Sequence, residues 1–275
     1  MTLYHLGFNC LYISRNEIDL LDPKEILKIL NLYNPRLVIN LASFNDVEDA
    51  EKNKLVFEVN SHALKYISQY CESNQCTLLH ISTDYVFNGL KGNYTEKDIC
   101  EPINKYGLSK LKGEEIIKEN LQNHIILRTS WLYSHFNTKN NFLTKILNAV
   151  NNDRYDFFGA SDIYGSPTSS ISLARAIITI CNHLKINSAY FGTFHFCDEG
   201  RVSRFEFIQE ILKGISEHRN IDFNKFRIKE VKNSYFNLKA PRPMDTSIKS
   251  DLFLKLYNYT SLNWKESLTN TIIRL

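Results

Sequence analysis

Short apolar runs alternate with longer amphipathic stretches along this chain. Runs rich in β-branched and aromatic residues at 10–14 (CLYIS), 36–43 (RLVINLAS), 77–83 (TLLHIST), 124–130 (HIILRTS), 154–159 (RYDFFG) and 192–197 (GTFHFC) predict strands. Between them apolar residues recur at helical spacing, which predicts helices over 23–33, 47–73, 105–121, 139–151, 169–185, 203–217 and 264–274. Asp22 and Pro23 open the first helix with a capping carboxylate and a proline at its first position. Strands spaced by helices of this length predict βαβ crossovers, hence an α/β protein with a parallel sheet covered by helices on both faces. Beyond residue 154 the strands are less regular and Pro167, Pro241 and Pro243 fall in loops, so 154–275 reads as a smaller lobe interleaved with the end of the first.

Composition narrows the function classes. The chain has 275 residues, enough for one large domain or two small ones, and its 43% apolar content supports a packed core. A net charge of +3 with no basic block gives no reason to expect nucleic acid. No apolar run is long enough to span a membrane. The opening MTLYHLGFNCLYIS lacks the basic start and small-residue cleavage site of a secretion signal. The six cysteines are scattered without a Cys-x-x-Cys pair, so they read as thiols in a reducing cytoplasm and not as a metal site.

Two stretches carry the chemistry. In HISTDYVFNG (80–89) a strand empties into Ser-Thr-Asp-Tyr. Open α/β sheets keep their ligands at the carboxyl ends of their strands. In NKYGLSKLKGEE (104–115) Tyr106 and Lys110 are four apart and share one helix face. An ammonium near a phenol favours the phenolate, which makes the tyrosine a usable proton donor and acceptor. Thr83, at the strand end, offers a hydroxyl to a substrate carbonyl oxygen. A Tyr-x-x-x-Lys pair alone is common on solvated helices; its spacing to the STDYVF strand end singles this one out.

These motifs, in this order, resemble the extended short-chain dehydrogenase/reductase family, and within it the dTDP-4-dehydrorhamnose reductase family. The STDYVF strand is followed by Tyr94 and Glu96, by Pro102, and by YGLSKLKGEE (106–115). NPRLVINLASFNDVEDAE (34–51), ILRTSWLY (126–133), DIYGSPTS (162–169), FHFCDEGRVSRFEF (194–207) and APRPMDTS (240–247) match further family landmarks. The resemblance implies a Rossmann-like fold, with 1–153 and returning segments forming the dinucleotide-binding part and 154–275 mainly the substrate lobe. It implies an oxidoreductase that uses NADPH (or NADH) to reduce a nucleotide-activated 4-keto-6-deoxy sugar, most simply dTDP-4-dehydro-L-rhamnose. Tyr106 would protonate the carbonyl oxygen, Lys110 would tune Tyr106 and hold the nicotinamide ribose, and Thr83 would orient the carbonyl. Asp84 and Trp131 would meet the substrate, Trp131 by an apolar face. Ala42, Ser43 and Phe44 would line the ribose and diphosphate, Asp19 and Leu20 the adenine, and Arg15 would reach a 2′-phosphate, which suits NADPH. The resemblance also implies a cytoplasmic protein with a nucleotide-sugar partner and a homodimer as one possible assembly; some reductases of the family resemble dimers bridged by a divalent metal through glutamates, but no matching glutamates are found here, so no metal is expected.

Some positions depart from the family. Ile163, Glu48 and Leu41 replace a glutamine, an aspartate and an alanine, and Asp245-Thr246 replaces Asn-Ser. More consequential, the family opens with a strand and a Gly-x-x-Gly-x-x-Gly turn that cradles diphosphate. Before Gly89 the only glycine here is Gly7. The expectation is that roughly twenty residues, comprising the first strand, the turn and most of the first helix, are absent. That absence keeps a non-catalytic regulatory or scaffold role open, while a sugar-nucleotide epimerase or dehydratase is disfavoured by Tyr85, which stands where dehydratases carry Glu after Thr-Asp.

Overall fold

The computed structural model describes residues 7–136 and 141–275. Helix α1 (Pro23–Tyr33) starts where Asp22 accepts the Lys24 amide and ends where Asn34 turns left-handed. Strand β1 (Leu37–Asn40) follows. Two short helical turns, Val47–Ala50 and Leu55–Phe57, and a π-helical turn, Glu58–His62, lead into α2 (Ala63–Ser73). Next come β2 (Thr77–Thr83), α3 (Lys105–Asn120) and β3 (His124–Thr129). The second half holds α4 (Phe142–Asn151), β4 (Asp156–Ala160), α5 (Ser170–Lys185), β5 (Gly192–His195), α6 (Arg204–Arg219), β6 (Arg227–Val231), α7 (Asp251–Leu256) and α8 (Trp264–Ile272).

The main sheet is parallel throughout, in the order β1-β2-β3-β5. Side chains alternate between its faces. Val38, Leu78 and Ile126 pack against α1, α2 and α3 on one face. Leu79, Ile125, Leu127 and Phe194 pack against α5 and α7 on the other. A separate core, built around Phe207, Trp264, Leu147 and Ile211, holds α4, α6, α8 and the parallel pair β4–β6 together. The α/β parallel sheet flanked by helices is therefore as the alternation predicts. Among the described residues no helix is long and apolar enough to cross a membrane.

Three expectations change. Residues 10–14 form no strand: Leu11 and Tyr12 are exposed, and the outer edge of β1 has no strand partner among the described residues, so an extended segment there has no ladder to join. The continuous helix over 47–73 is broken, because Asn60 is buried in the π-helical turn and its amide is spent across the fold. It accepts from Ser43 Oγ (3.0 Å) and Phe44 N (2.8 Å), and donates to Phe44 O (3.1 Å) and Ser109 Oγ (3.0 Å). The helix expected over 139–151 begins at Phe142 behind its cap Asn141, and 139–140 lie outside the described residues. Strand β6 and helix α7 are additions; β6 alternates weakly and is mostly exposed, so it carries little apolar signal.

Helix α3 is fastened by charge. Glu114, fully buried, receives Arg128 Nε (2.9 Å) and Nη2 (2.6 Å) from β3 and Ser82 Oγ (2.6 Å) from β2. Two glycines let the helix approach: a Cβ on Gly107 would lie 2.1 Å from Tyr85 O, and one on Gly113 would lie 2.2 Å from Asn60 O. Removing one partner of such a pair strands the other charge in the interior. Arg128→Met is expected to cost about 3–5 kcal/mol in denaturant unfolding. A loss below about 1 kcal/mol, the worth of an exposed pair, would show that the pair does not fasten the helix.

Candidate active site

The carboxyl ends of β1, β2 and β3 and the first turns of α3 meet in one crevice. The alternation of β2 explains its contents. Leu78 faces the α3 side, so His80 and Ser82 do too; Asn40 pairs with His80 in the β1–β2 register and shares that face. The face beneath α3 is apolar at the start of the strands and polar at their ends. On α3, Tyr106, Lys110 and Glu114 follow at intervals of four and look down on that polar row. Asn104 caps the helix, accepting from the Gly107 amide (2.8 Å) and donating to Pro241 O (3.0 Å).

Lys110 is buried, with Nζ 3.1 Å from His80 Nε2 and donating to Ile81 O at 2.6 Å. Burial pulls its amine down to about 8, while Glu114 works the other way. Tyr106 is half-buried, its ring edge-on to Tyr85 at 5.9 Å. Burial holds the phenol well above its ordinary range, with a hydrogen bond to Thr83 opposing. The phenol is not lowered by the lysine as expected: Lys110 spends its contacts on His80 and Ile81.

Thr83 accepts from the Tyr85 amide (3.2 Å) and gives its proton to Asp84 Oδ1 (3.1 Å). Asp84 Oδ2 accepts from Ser130 Oγ (2.8 Å) and from Thr246 Oγ1, so one carboxylate joins β2, β3 and the second lobe. Trp131 is also buried, at a positive φ of 43°. The Arg204 guanidinium carbon sits over its ring, 3.4 Å from the centroid, and Gly165 packs so closely that a Cβ there would come within 2.3 Å of the indole. The ring face anticipated for a sugar carries a guanidinium. Burial lowers Arg204 to about 10, against the pull of Tyr85 and Asp84.

The 42–44 loop borders the same crevice, held by Asn60 and by Asn40 Oδ1, which accepts the Ala42 amide (3.1 Å). The structure thus brings Ala42, Ser43, Phe44, Thr83, Asp84, Tyr106, Lys110 and Trp131 into one region. Arg15, Asp19 and Leu20 have surroundings of their own. Arg15 is exposed in a turn, Asp19 accepts the Leu21 amide (2.9 Å), and Leu20 lines a cleft with Pro23, Glu58, His62 and Tyr66. Sequence reasoning missed Asn40, His80, Glu114, Arg128 and Arg204. Glu114 was legible as the next residue in the four-residue series from Tyr106; the others needed the strand register.

The RmlD substrate binding domain family matches residues 2–275. The chain belongs to that family. A dTDP-4-dehydrorhamnose reductase of Aggregatibacter actinomycetemcomitans is 27% identical over 267 residues, 96% of this chain and 89% of that protein. The crystal structure of the Bacillus anthracis dTDP-4-dehydrorhamnose reductase in complex with NADP is similar at a TM-score of 0.87 and 27% identity, over 98% of this chain and 92% of that one. A hypothetical dTDP-4-dehydrorhamnose reductase of Sulfolobus tokodaii is 32% identical, with a TM-score of 0.74 over 90% of this chain and 84% of that one.

In this RmlD-family chain the donors present fit the nicotinamide-ribose part of a dinucleotide: a lysine amine, a phenol and the backbone of 42–44 stand together at strand carboxyl ends. No glycine turn for the diphosphate occurs in the sequence. Among the described residues no three His, Cys, Asp or Glu side chains gather as metal ligands.

Asp84 gives the site a pH signature. Burial raises its carboxyl from 3.8 to about 6, against hydrogen bonds from Thr246, Ser130 and Thr83. The folded state therefore binds the proton more tightly than the unfolded one. This contribution is complete below pH 3.8 and lost as pH rises through about 6. Relative to Asp84→Asn, the wild type is expected to lose up to about 3 kcal/mol of unfolding free energy across that window. Parallel stability profiles of the two proteins would contradict it.

Proposed function

We propose that this chain is an NADPH-dependent reductase of a nucleotide-activated 4-keto-6-deoxy sugar, most simply converting dTDP-4-dehydro-L-rhamnose to dTDP-L-rhamnose. The observation that carries the reading is the meeting of Thr83, Tyr106 and Lys110 at the carboxyl end of β2, in a chain whose relatives are named as reductases of this sugar class. The NADP in the Bacillus anthracis relative supports the choice of cofactor.

Reduced nicotinamide supplies the hydride. The chain's residues handle the proton and the charge. As the carbonyl carbon at C4 takes the hydride, its oxygen gathers negative charge and needs a donor. Tyr106 is that donor, and its burial keeps it protonated until then. Lys110 as an ammonium favours the phenolate left behind. Thr83, steadied by Asp84, orients the carbonyl oxygen. Ala42, Ser43 and Phe44 border the ribose and diphosphate, Arg15, Asp19 and Leu20 serve the adenosine end, and Trp131 with Asp84 bounds the sugar. Tyr85, where a dehydratase would carry a second acid, favours reduction over dehydration. The same reading places the protein in the cytoplasm, with a nucleotide sugar as its partner.

Mixing the protein with NADPH and dTDP-4-dehydro-L-rhamnose is expected to consume both and yield dTDP-L-rhamnose in equal amount. Tyr106→Phe is expected to lower kcat by about 10²–10⁴-fold, with NADPH affinity little changed. A folded protein that turns over neither this nor related 4-keto sugars would overturn the reading. Full activity in Y106F would remove Tyr106 from the proton-donor role.

A further inference from the structure

Behind Lys110 run two buried side chains, His80 and Asn40, ending on the backbone N–H of Ala42. Nζ donates to Ile81 O at 2.6 Å and sits 3.1 Å from His80 Nε2; His80 Nδ1 sits 3.0 Å from Asn40 Nδ2; Asn40 Oδ1 accepts the Ala42 amide at 3.1 Å. The last bond fixes the direction of the chain. A backbone N–H is only a donor, so the Asn40 oxygen faces Ala42 and its NH₂ faces His80. An NH₂ is only a donor too, so His80 Nδ1 must accept and the imidazole carries its proton on Nε2. That proton points at Lys110, and only an unprotonated amine can receive it.

If Lys110 is instead an ammonium, it is a donor in every direction. His80 Nε2 must then accept, Nδ1 must carry the proton, and Asn40 must present its oxygen to His80. The Ala42 N–H then loses its partner. The two states differ by one proton taken from solvent onto Nζ. The imidazole stays neutral in both, giving up its proton at Nε2 and taking one at Nδ1.

We propose that Asn40 and His80 act as a hydrogen-bond switch on Lys110. In the arrangement described, with the Asn40 oxygen on Ala42, they hold it as a neutral amine. Lys110 gains its proton only as the Asn40 amide turns over and releases the N–H of Ala42. Asn40 and His80 are then positioning residues. On the reductase reading proposed above, the switch makes two donors available together, the ammonium and the Ala42 amide, both on the crevice expected to hold the nicotinamide ribose and its neighbouring phosphate.

The surroundings leave the switch room to operate. Burial pulls Lys110 down to about 8, and burial with the nearby lysine holds His80 well below its ordinary value. Glu114 is the anion facing Lys110 from α3, and it is engaged by Arg128 at 2.6 Å, by Lys118 at 3.5 Å and by Ser82. Tyr106, one turn before Lys110 on α3, is held protonated by burial. From β1 the facing group is Asn40, which is uncharged.

The test is nitrogen-15 NMR of the histidine-labelled full chain without ligand, titrated from about pH 6.5 to pH 9.5, with His80 assigned by His80→Gln. The expected result is a neutral His80 protonated on Nε2 at high pH and on Nδ1 at low pH, with the Ala42 amide shifting at the same midpoint. Asn40→Asp, nearly the same shape, can only accept. It is expected to lock His80 in the Nδ1–H form at every pH in the range. One tautomer throughout the wild-type titration, or an N40D protein that keeps the Nε2–H form, would overturn the proposal. Neither result depends on cofactor or substrate, so failure here is separable from failure of the reductase reading.

Discussion

Arg128 and Glu114 meet in the interior, and the crevice takes its geometry from where they meet. Two charges out of water tolerate little displacement, because their attraction must offset their lost hydration. The bidentate contact, with Ser82 on the same carboxylate, therefore sets how α3 lies across β2 and β3. Lys110 and Tyr106 are one and two turns nearer the helix start, so the anchor at Glu114 aims both. The glycines at 107 and 113 let the backbone come close enough for that anchor to form.

A second buried carboxylate does for the lobes what Glu114 does for the helix. Asp84 gathers hydroxyls from Thr83, Ser130 and Thr246, residues at the ends of two sheet strands and in the loop after β6. A carboxylate with four acceptor sites suits that junction. Glu48 ties the same loop to the first lobe by accepting from Arg242 (2.8 Å) and the Lys239 amide (2.9 Å). Between these ties lie the phenol of Tyr106 and the pair of Arg204 and Trp131.

The sequence made the sheet legible because strand ends here coincide with changes in chemistry. TLLHIST runs into Asp84 and ends where predicted, and Asp22-Pro23 marks the start of α1 to the residue. Residues 10–14 had a strand's composition, but a strand also needs a neighbour, which no local pattern reports. The segment 47–73 had a helix's periodicity, yet the demand for Asn60 to bridge Phe44 and Ser109 broke it; a buried amide serving three elements is a tertiary fact. Of the site, the helical pair Tyr106–Lys110 was readable from spacing. Its supports were not, because Asn40, His80 and Arg128 are brought under α3 by strand register. Arg204 came from the far lobe, and only the fold places it on Trp131.

On the reductase reading proposed above, the crevice accepts a reduced nicotinamide dinucleotide against Lys110. The direct measurement is a titration of the 275-residue protein with NADPH, followed by nicotinamide fluorescence, beside the same titration of Lys110→Met. The expected result is saturable micromolar binding by the wild type that the variant weakens at least tenfold, the equivalent of about 1.4 kcal/mol. A folded wild-type protein that leaves the nicotinamide signal unchanged would contradict it.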